Sequence, residues 1–129
     1  MQRALTSSIP GLASGPARAR GIALHESFGS IVAEVAEVSL VDGKPRVHRV
    51  VCAIDCGTVV NPGTVAQQVE SSVNFAMSAA LFGKIDIQEG VVQQTNFTNY
   101  PLVNLAQSPV VETHIVSSTL PPEGVGEPA

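Results

Sequence analysis

Residues 44–83 read KPRVHRVVCAIDCGTVVNPGTVAQQVESSVNFAMSAALFG, and two successive patterns within them decide the fold. From Arg46 to Ile54, Val47, Arg49 and Val51 alternate with His48, Val50 and Cys52, the period of a strand. Both faces turn apolar towards Ile54, which predicts a strand buried on both sides. At Asn61 the period changes. An Asn side chain can accept from the free N–H groups of a first helical turn, and Pro62 at the first position loses no hydrogen bond. Val65, Val69, Val73, Ala76 or Met77, Ala80 and Leu81 then recur at helical spacing. Pro62–Phe82 is expected as one long, mostly buried helix, with Gly83 as the left-handed residue that closes it.

Working outward, Gly21–His25 and Ser27–Val41 are rich in Val, Ile and Ala, with a bend at Phe28-Gly29-Ser30. The stretch IVAEVAEV suits a helix face as well as a strand, but its β-branched residues and the Asp42-Gly43 turn behind it favour a strand. Asp42-Gly43 joins it to Arg46–Ile54 as a hairpin. Beyond the helix come Ile85–Ile87, a turn at Glu89-Gly90, and then Val91–Tyr100 and Val110–Ser117. In the last of these Val111, Thr113 and Ile115 alternate with Glu112, His114 and Val116, the pattern of an edge or half-covered strand. Pro121-Pro122 ends the ordered pattern, and Glu123–Ala129 is a Gly- and Pro-rich loop. No internal repeat is present. The fold class is α+β: a mainly antiparallel sheet packed against one long helix.

Composition bounds the function. The 129 residues carry seven Lys and Arg against eleven Asp and Glu, a net charge of −4, which excludes a general basic nucleic-acid surface. An apolar content of 44% excludes disorder of the whole chain. No run of about 18 uncharged apolar residues could span a membrane. Only 14% of residues are charged, a sign that some surface is covered by a partner, and the isolated chain is expected to self-associate. Residues 1–20 contain Arg3, Arg18 and Arg20 and no acid, whereas residues 21–129 hold four bases and eleven acids. The first twenty residues read as a flexible leader or linker, and residues 21–129 as a partial domain. A transit peptide is the weaker reading, since Pro10, Gly11, Gly15 and Pro16 interrupt any amphipathic helix. With no targeting signal, the expected location is cytoplasmic.

Chemistry is sparse before the last residues. His25, His48 and His114 fall on three different strands and form no ligand set. Cys52 and Cys56 read as buried free thiols. Asn96-Phe97-Thr98 matches a glycosylation acceptor, a pattern common by chance. Asp55-Cys56-Gly57 reads as a turn, with a catalytic carboxylate as the alternative. Gly124-Val125-Gly126-Glu127-Pro128 is different, because two glycines allow close approach of the backbone. Pro128 biases Glu127 towards an extended conformation, which restricts the direction of its carboxylate. Such a glutamate suits a general base beside an anionic cofactor. The residues alone leave equal room for a free tail carboxylate.

The segments RGIALHESFGSIVAEVAEV, VHRVVCAIDCGTVVNP, AQQVE, QTNFTNYP and THIVSS…PPEGVGEPA, in that order, resemble the molybdenum hydroxylases. This family includes xanthine dehydrogenase and aldehyde oxidoreductase, and the chain is most similar to the large subunit of isoquinoline 1-oxidoreductase-like enzymes. The resemblance runs from about Arg20 to Ala129. It implies that Glu127 is the catalytic base near molybdenum and that Gln68 lies at the cofactor. Gly124, Val125 and Gly126 would contribute backbone to the same site. Two departures stand out: Ser71 replaces a usual glycine, and Asn104 and Gln107 stand where close relatives often carry Arg and Glu.

The implied activity is hydroxylation of aldehydes or N-heterocycles with water as the oxygen source. The implied cofactors are a molybdenum–pterin group, which no protein side chain ligates, and iron–sulfur clusters in a partner subunit. The chain looks like a C-terminal fragment from the molybdopterin-binding part of such a subunit, inactive in isolation. Its partners would be the remainder of the large subunit and an iron–sulfur small subunit. Two alternatives compete: a truncated, inactive remnant that only self-associates, and a strand-rich interaction module whose tail is a peptide ligand.

Overall fold

Two-residue turns set the strand order in the computed structural model, which describes residues 17–129. Strands β1 (Arg18–Ser27), β2 (Ser30–Val41) and β3 (Lys44–Asp55) follow one another as antiparallel neighbours. At both joints the first turn residue is non-glycine with positive φ, Phe28 at 50° and Asp42 at 52°, and a glycine follows. Two such residues match the right-handed twist of the paired strands. Helix α1 (Pro62–Phe82) comes next, then a small hairpin of β4 (Ile87–Gln88) and β5 (Val91–Val92), and finally β6 (Val110–Ile115). β6 lies parallel to β3, so the main sheet runs β1-β2-β3-β6. The α+β class stands, with a mainly antiparallel sheet and one helix packed on it.

Asn61 caps α1 by accepting from the Thr64 N–H at 3.1 Å, and Pro62 opens it. Val65, Val69, Val73 and Met77 recur every four residues and pack on Val32, Val50, Cys52, Ile54 and Cys56 of the sheet side. Burying side chains of this size contributes about 1.5–3 kcal/mol each. These nine residues form the core.

Several expectations are corrected. The helix is buried along one stripe only, and Phe75 on its far side is 78% exposed. Gly83 is not left-handed: its φ is −62°, and glycine is needed because a Cβ would lie 2.4 Å from the Ala79 carbonyl oxygen. β3 is buried on one face only. Val50, Cys52 and Ile54 face the helix, whereas Val51 and Ala53 face the side that no described element covers. Val91–Tyr100 is not a continuous strand, because side chains take over its backbone groups. Asn99 Oδ1 accepts from the Thr95 and Asn96 N–H groups and Asn96 Oδ1 from Thr98 N–H, local bonds that compete with a strand ladder. Residues 18–20, expected in the leader, are the start of β1; residues 1–16 of that expectation lie outside the described residues. Arg18 and Arg20 both bond Glu37 across the β1–β2 pairing. Such exposed pairs mark the register more than they stabilise it.

Beneath the sheet, Glu34 sits opposite Cys52 in the β2–β3 register, and its Oε1 is buried without a partner. Burial pushes the Glu34 carboxyl above its ordinary value of 4.5, only partly offset by the Cys52 thiol beside it. Burial, with the Glu34 charge and hydrogen bond behind it, pushes Cys52 up to about 12. A carboxyl with a raised folded-state pKa holds its proton more tightly in the folded chain. Its contribution to stability is therefore complete below 4.5 and is lost as pH rises through the raised value. Glu34→Gln should accordingly stabilise the chain at neutral pH, because the amide removes the partly buried charge that the carboxylate carries there. It should also flatten the dependence above pH 4.5. Denaturant unfolding at pH 4 and pH 7 checks this; equal midpoint shifts at both pH values would count against it.

Candidate functional site

After β6 the chain returns across the open end of β3 and is fastened there bond by bond. The Val116 N–H donates to the Ile54 carbonyl at 2.8 Å. Thr58 donates its N–H and its hydroxyl to the Leu120 carbonyl, at 2.9 and 2.8 Å. The Glu123 N–H reaches the Cys56 carbonyl at 3.0 Å, and the Gly124 N–H the Phe28 carbonyl at 3.1 Å. The Ser30 hydroxyl donates back to the Gly124 carbonyl at 2.5 Å. The final segment is thus docked on the turns at the ends of β1 and β3.

That docking carries residues 124–127 onto α1. Gly126 adopts φ +111°, and a Cβ there would lie 2.9 Å from Gln68 Oε1, so backbone and amide meet with no room for a side chain. Gly126 and Pro128 are buried, whereas Glu127 between them is exposed. Gln68, Ser71 and Phe75 from the helix, with Val125, Gly126 and Glu127 from the loop, line a cleft of about 530 Å³. A neighbouring cleft of about 280 Å³ shares Gln68 and Val125 and reaches Cys56 and Asn61. Another, of about 400 Å³, lies by Lys44–Val47 and Met77–Phe82 and holds none of the expected residues. Of the residues expected at a cofactor, Gln68, Val125, Gly126 and Glu127 therefore meet at one loop–helix junction, whereas Gly124 lines neither of these clefts and is held by Phe28 and Ser30.

The donors at this junction suit one face of an anionic group. Among the described residues, no backbone acceptor engages the N–H groups of Val125, Gly126 or Glu127. The Gln68 amide adds a further donor, while Ser72 is spent on the Val69 carbonyl at 2.8 Å. No Lys or Arg lines the cleft; the donors it offers are neutral, and its one charged side chain is Glu127. Ser71, standing where a glycine was expected, places a side chain in the cleft wall.

The other candidates separate from it. Asp55 accepts from the Gly57 N–H at 3.2 Å, a turn bond, and lines none of these three clefts. His48 bonds the Ser39 hydroxyl at 2.7 Å, and His25 and His114 are exposed on the sheet. Cys52 and Cys56 are free and buried. Burial and the Asp55 charge both push the Cys56 thiol up, which disfavours a reactive thiolate. Among the described residues no group of three or more His, Cys, Asp or Glu could hold a metal ion. Asn104 and Gln107 bond each other's backbone reciprocally, at 3.0 and 3.2 Å, and so close a turn. Phe75 was missed from the sequence. Its signal was a second helical stripe, Gln68, Ser71, Ser72, Phe75 and Ala79, beside the buried one.

The molybdopterin cofactor-binding domain family matches residues 16–109, which includes Gln68 and stops short of the 124–127 loop. The chain belongs to this family, and its cofactor class is the molybdenum–pterin group. It is 32% identical over 116 residues to the isoquinoline 1-oxidoreductase subunit beta of Brevundimonas diminuta, covering 88% of this chain. It is 29% identical over 118 residues to a membrane-bound aldehyde dehydrogenase of Gluconacetobacter polyoxogenes, covering 92%; that relative's name specifies pyrroloquinoline quinone. The chain spans 15% of the length of each. The fold is that of part of the Cu,Mo-CO dehydrogenase, with a TM-score of 0.68 at 24% identity, over 76% of this chain and 13% of the other. No described helix is long and apolar enough to cross a membrane.

Proposed function

We propose that this chain forms one wall of the molybdenum–pterin site of an oxidoreductase that hydroxylates aldehydes or N-heterocycles with water as the oxygen source. The observation that carries it is the junction at which Gln68 of α1 meets the Gly126–Glu127 backbone across a shared cleft. When bound, the molybdenum–pterin group supplies the two-electron oxidation chemistry. Gln68 and the free N–H groups of residues 125–127 hold and orient it. Glu127 is the general base: exposed to the cleft and braced between two buried residues, its carboxylate removes the proton of the attacking oxygen nucleophile. The partners in this reading are the remainder of a large subunit, which closes the site, and an iron–sulfur small subunit, which takes the electrons onward. Residues 21–129 act as a partial domain within that assembly. The reading places the chain in the cytoplasm, where its two free thiols stay reduced.

Metal and pterin analysis tests the cofactor side. One helix and one loop are too few converging elements to bury a large anionic ligand, so the chain alone should retain no stoichiometric molybdenum. Co-expressed with the missing segments it should do so, and Gln68→Ala should lower the retained molybdenum and pterin before it slows the chemistry. Stoichiometric molybdenum in the isolated chain, or full loading of Gln68→Ala, would overturn these assignments.

Self-association of the isolated chain is favoured by a specific surface. Ile22 and Leu24 on β1 are 79% and 74% exposed, on the strand at one edge of the sheet. Ile31, partly exposed, continues the patch on the adjoining strand. An edge strand of ten residues that exposes Ile22 and Leu24 invites pairing with another chain. Light scattering is expected to show dimers or larger species, and a monodisperse 13.4 kDa particle at high concentration would contradict this.

A further inference from the structure

The geometry points to Ser30 as a positioning residue for Glu127, acting through Gly124; this rests on the reading of Glu127 as the base. Ser30 is the first residue of β2 and has no exposed surface, yet its hydroxyl is not used within the sheet. It donates to the carbonyl of Gly124, ninety-four positions along the chain. The N–H of the same glycine donates to the Phe28 carbonyl. Both backbone groups of Gly124 are therefore held at one β1–β2 joint, by Phe28 of the turn and Ser30 of β2, which fixes the peptide planes on either side of it.

Two further features show that this contact is built. Phe28 holds φ +50°, a conformation bulky residues avoid, and in it the Phe28 carbonyl accepts from Gly124. A Cβ on Gly124 would lie 2.7 Å from the Phe28 Cβ, and one on Gly29 would lie 2.5 Å from the Glu123 carboxyl carbon. Turn and loop are thus in contact at two successive positions, the Gly124 one against the fixed Cβ of Phe28. Glu127 lies three residues beyond Gly124, and between them only Gly126 has a positive φ. Fixing Gly124 therefore limits where the Glu127 carboxylate can point.

Hydrogen exchange on the full chain, with wild type, Ser30→Ala and Ser30→Thr, tests the tether without any cofactor. Losing one buried hydrogen bond should speed exchange of the Glu123 and Gly124 amides, the two in this loop that are hydrogen-bonded, by about tenfold. The amides of β3 and α1 should keep their protection, and the hydroxyl of Ser30→Thr should restore that of the loop. Unchanged exchange in Ser30→Ala, or equal acceleration through β3, α1 and the loop in both variants, would overturn the proposal. In the reassembled enzyme Ser30→Ala should lower kcat with KM and molybdenum content unchanged, and shift the acid limb of the pH profile. An unmoved limb would again overturn it. If the loop loosens as expected but Glu127→Gln retains full turnover, the tether stands and the base assignment falls.

Discussion

Glu127→Gln, in the assembled and cofactor-loaded enzyme, should lower turnover by about 10²–10⁴-fold, or roughly 3–5 kcal/mol of barrier. The substitution keeps the size of the side chain and much of its hydrogen bonding, and removes only the proton acceptor. Gly126 and Pro128 on either side are buried, so the loop has little reason to move when the charge is lost. Cofactor content should therefore stay near wild type, in contrast to Gln68→Ala. A free tail carboxylate would behave otherwise, changing stability by a few tenths of a kcal/mol and turnover not at all. Steady-state turnover of an aldehyde or N-heterocycle, normalised to molybdenum, decides between them. Near wild-type rates in fully loaded Glu127→Gln would remove the catalytic assignment and with it the main support for the proposed activity.

Gly57→Ala should destabilise the chain by about 2–5 kcal/mol, and Gly43→Ala by only about 1–2. The two glycines have nearly the same backbone, φ +73° and +75°, so the cost of a left-handed L-residue is common to both. Their surroundings differ. A Cβ at Gly43 meets nothing within 4 Å, whereas at Gly57 it would lie 1.9 Å from the Pro121 carbonyl oxygen. Relief requires the returning segment to lift from Thr58 and Cys56, which breaks the bonds that dock residues 120–124. Thermal unfolding of the two variants side by side isolates this term. Equal losses would mean that the segment is not held there. If the docking is as described, Gly57→Ala should also impair the Glu127 loop, and Gly43→Ala should not.

Local chemistry was enough to read α1 from the sequence to the residue. Asn61 and Pro62 start it, valines at every fourth position align it, and each signal lies within a few residues of what it controls. The same holds for the Asp42-Gly43 hairpin, where turn type and strand pattern agree. The resemblance in the 124–128 stretch picked out Glu127, and the AQQVE segment Gln68. The resemblance put both at one cofactor, but the direct meeting of Gln68 with the Gly126 backbone is legible only in the fold.

What only the tertiary structure decided are the long-range pairings. Nothing local in Val110–Ile115 says that it lies parallel to β3; that follows from α1 crossing back over the sheet between the two strands. Arg18 and Arg20 looked like leader charge because their partner Glu37 is opposite them only once the β1–β2 register exists. Ser30 resembles any turn serine until Gly124 arrives from the other end of the chain. The helix and the hairpins are thus set by interactions of short span. The site depends on hydrogen bonds, from backbone and hydroxyl donors, between segments some 60 to 95 residues apart, and such bonds leave no periodic trace in sequence.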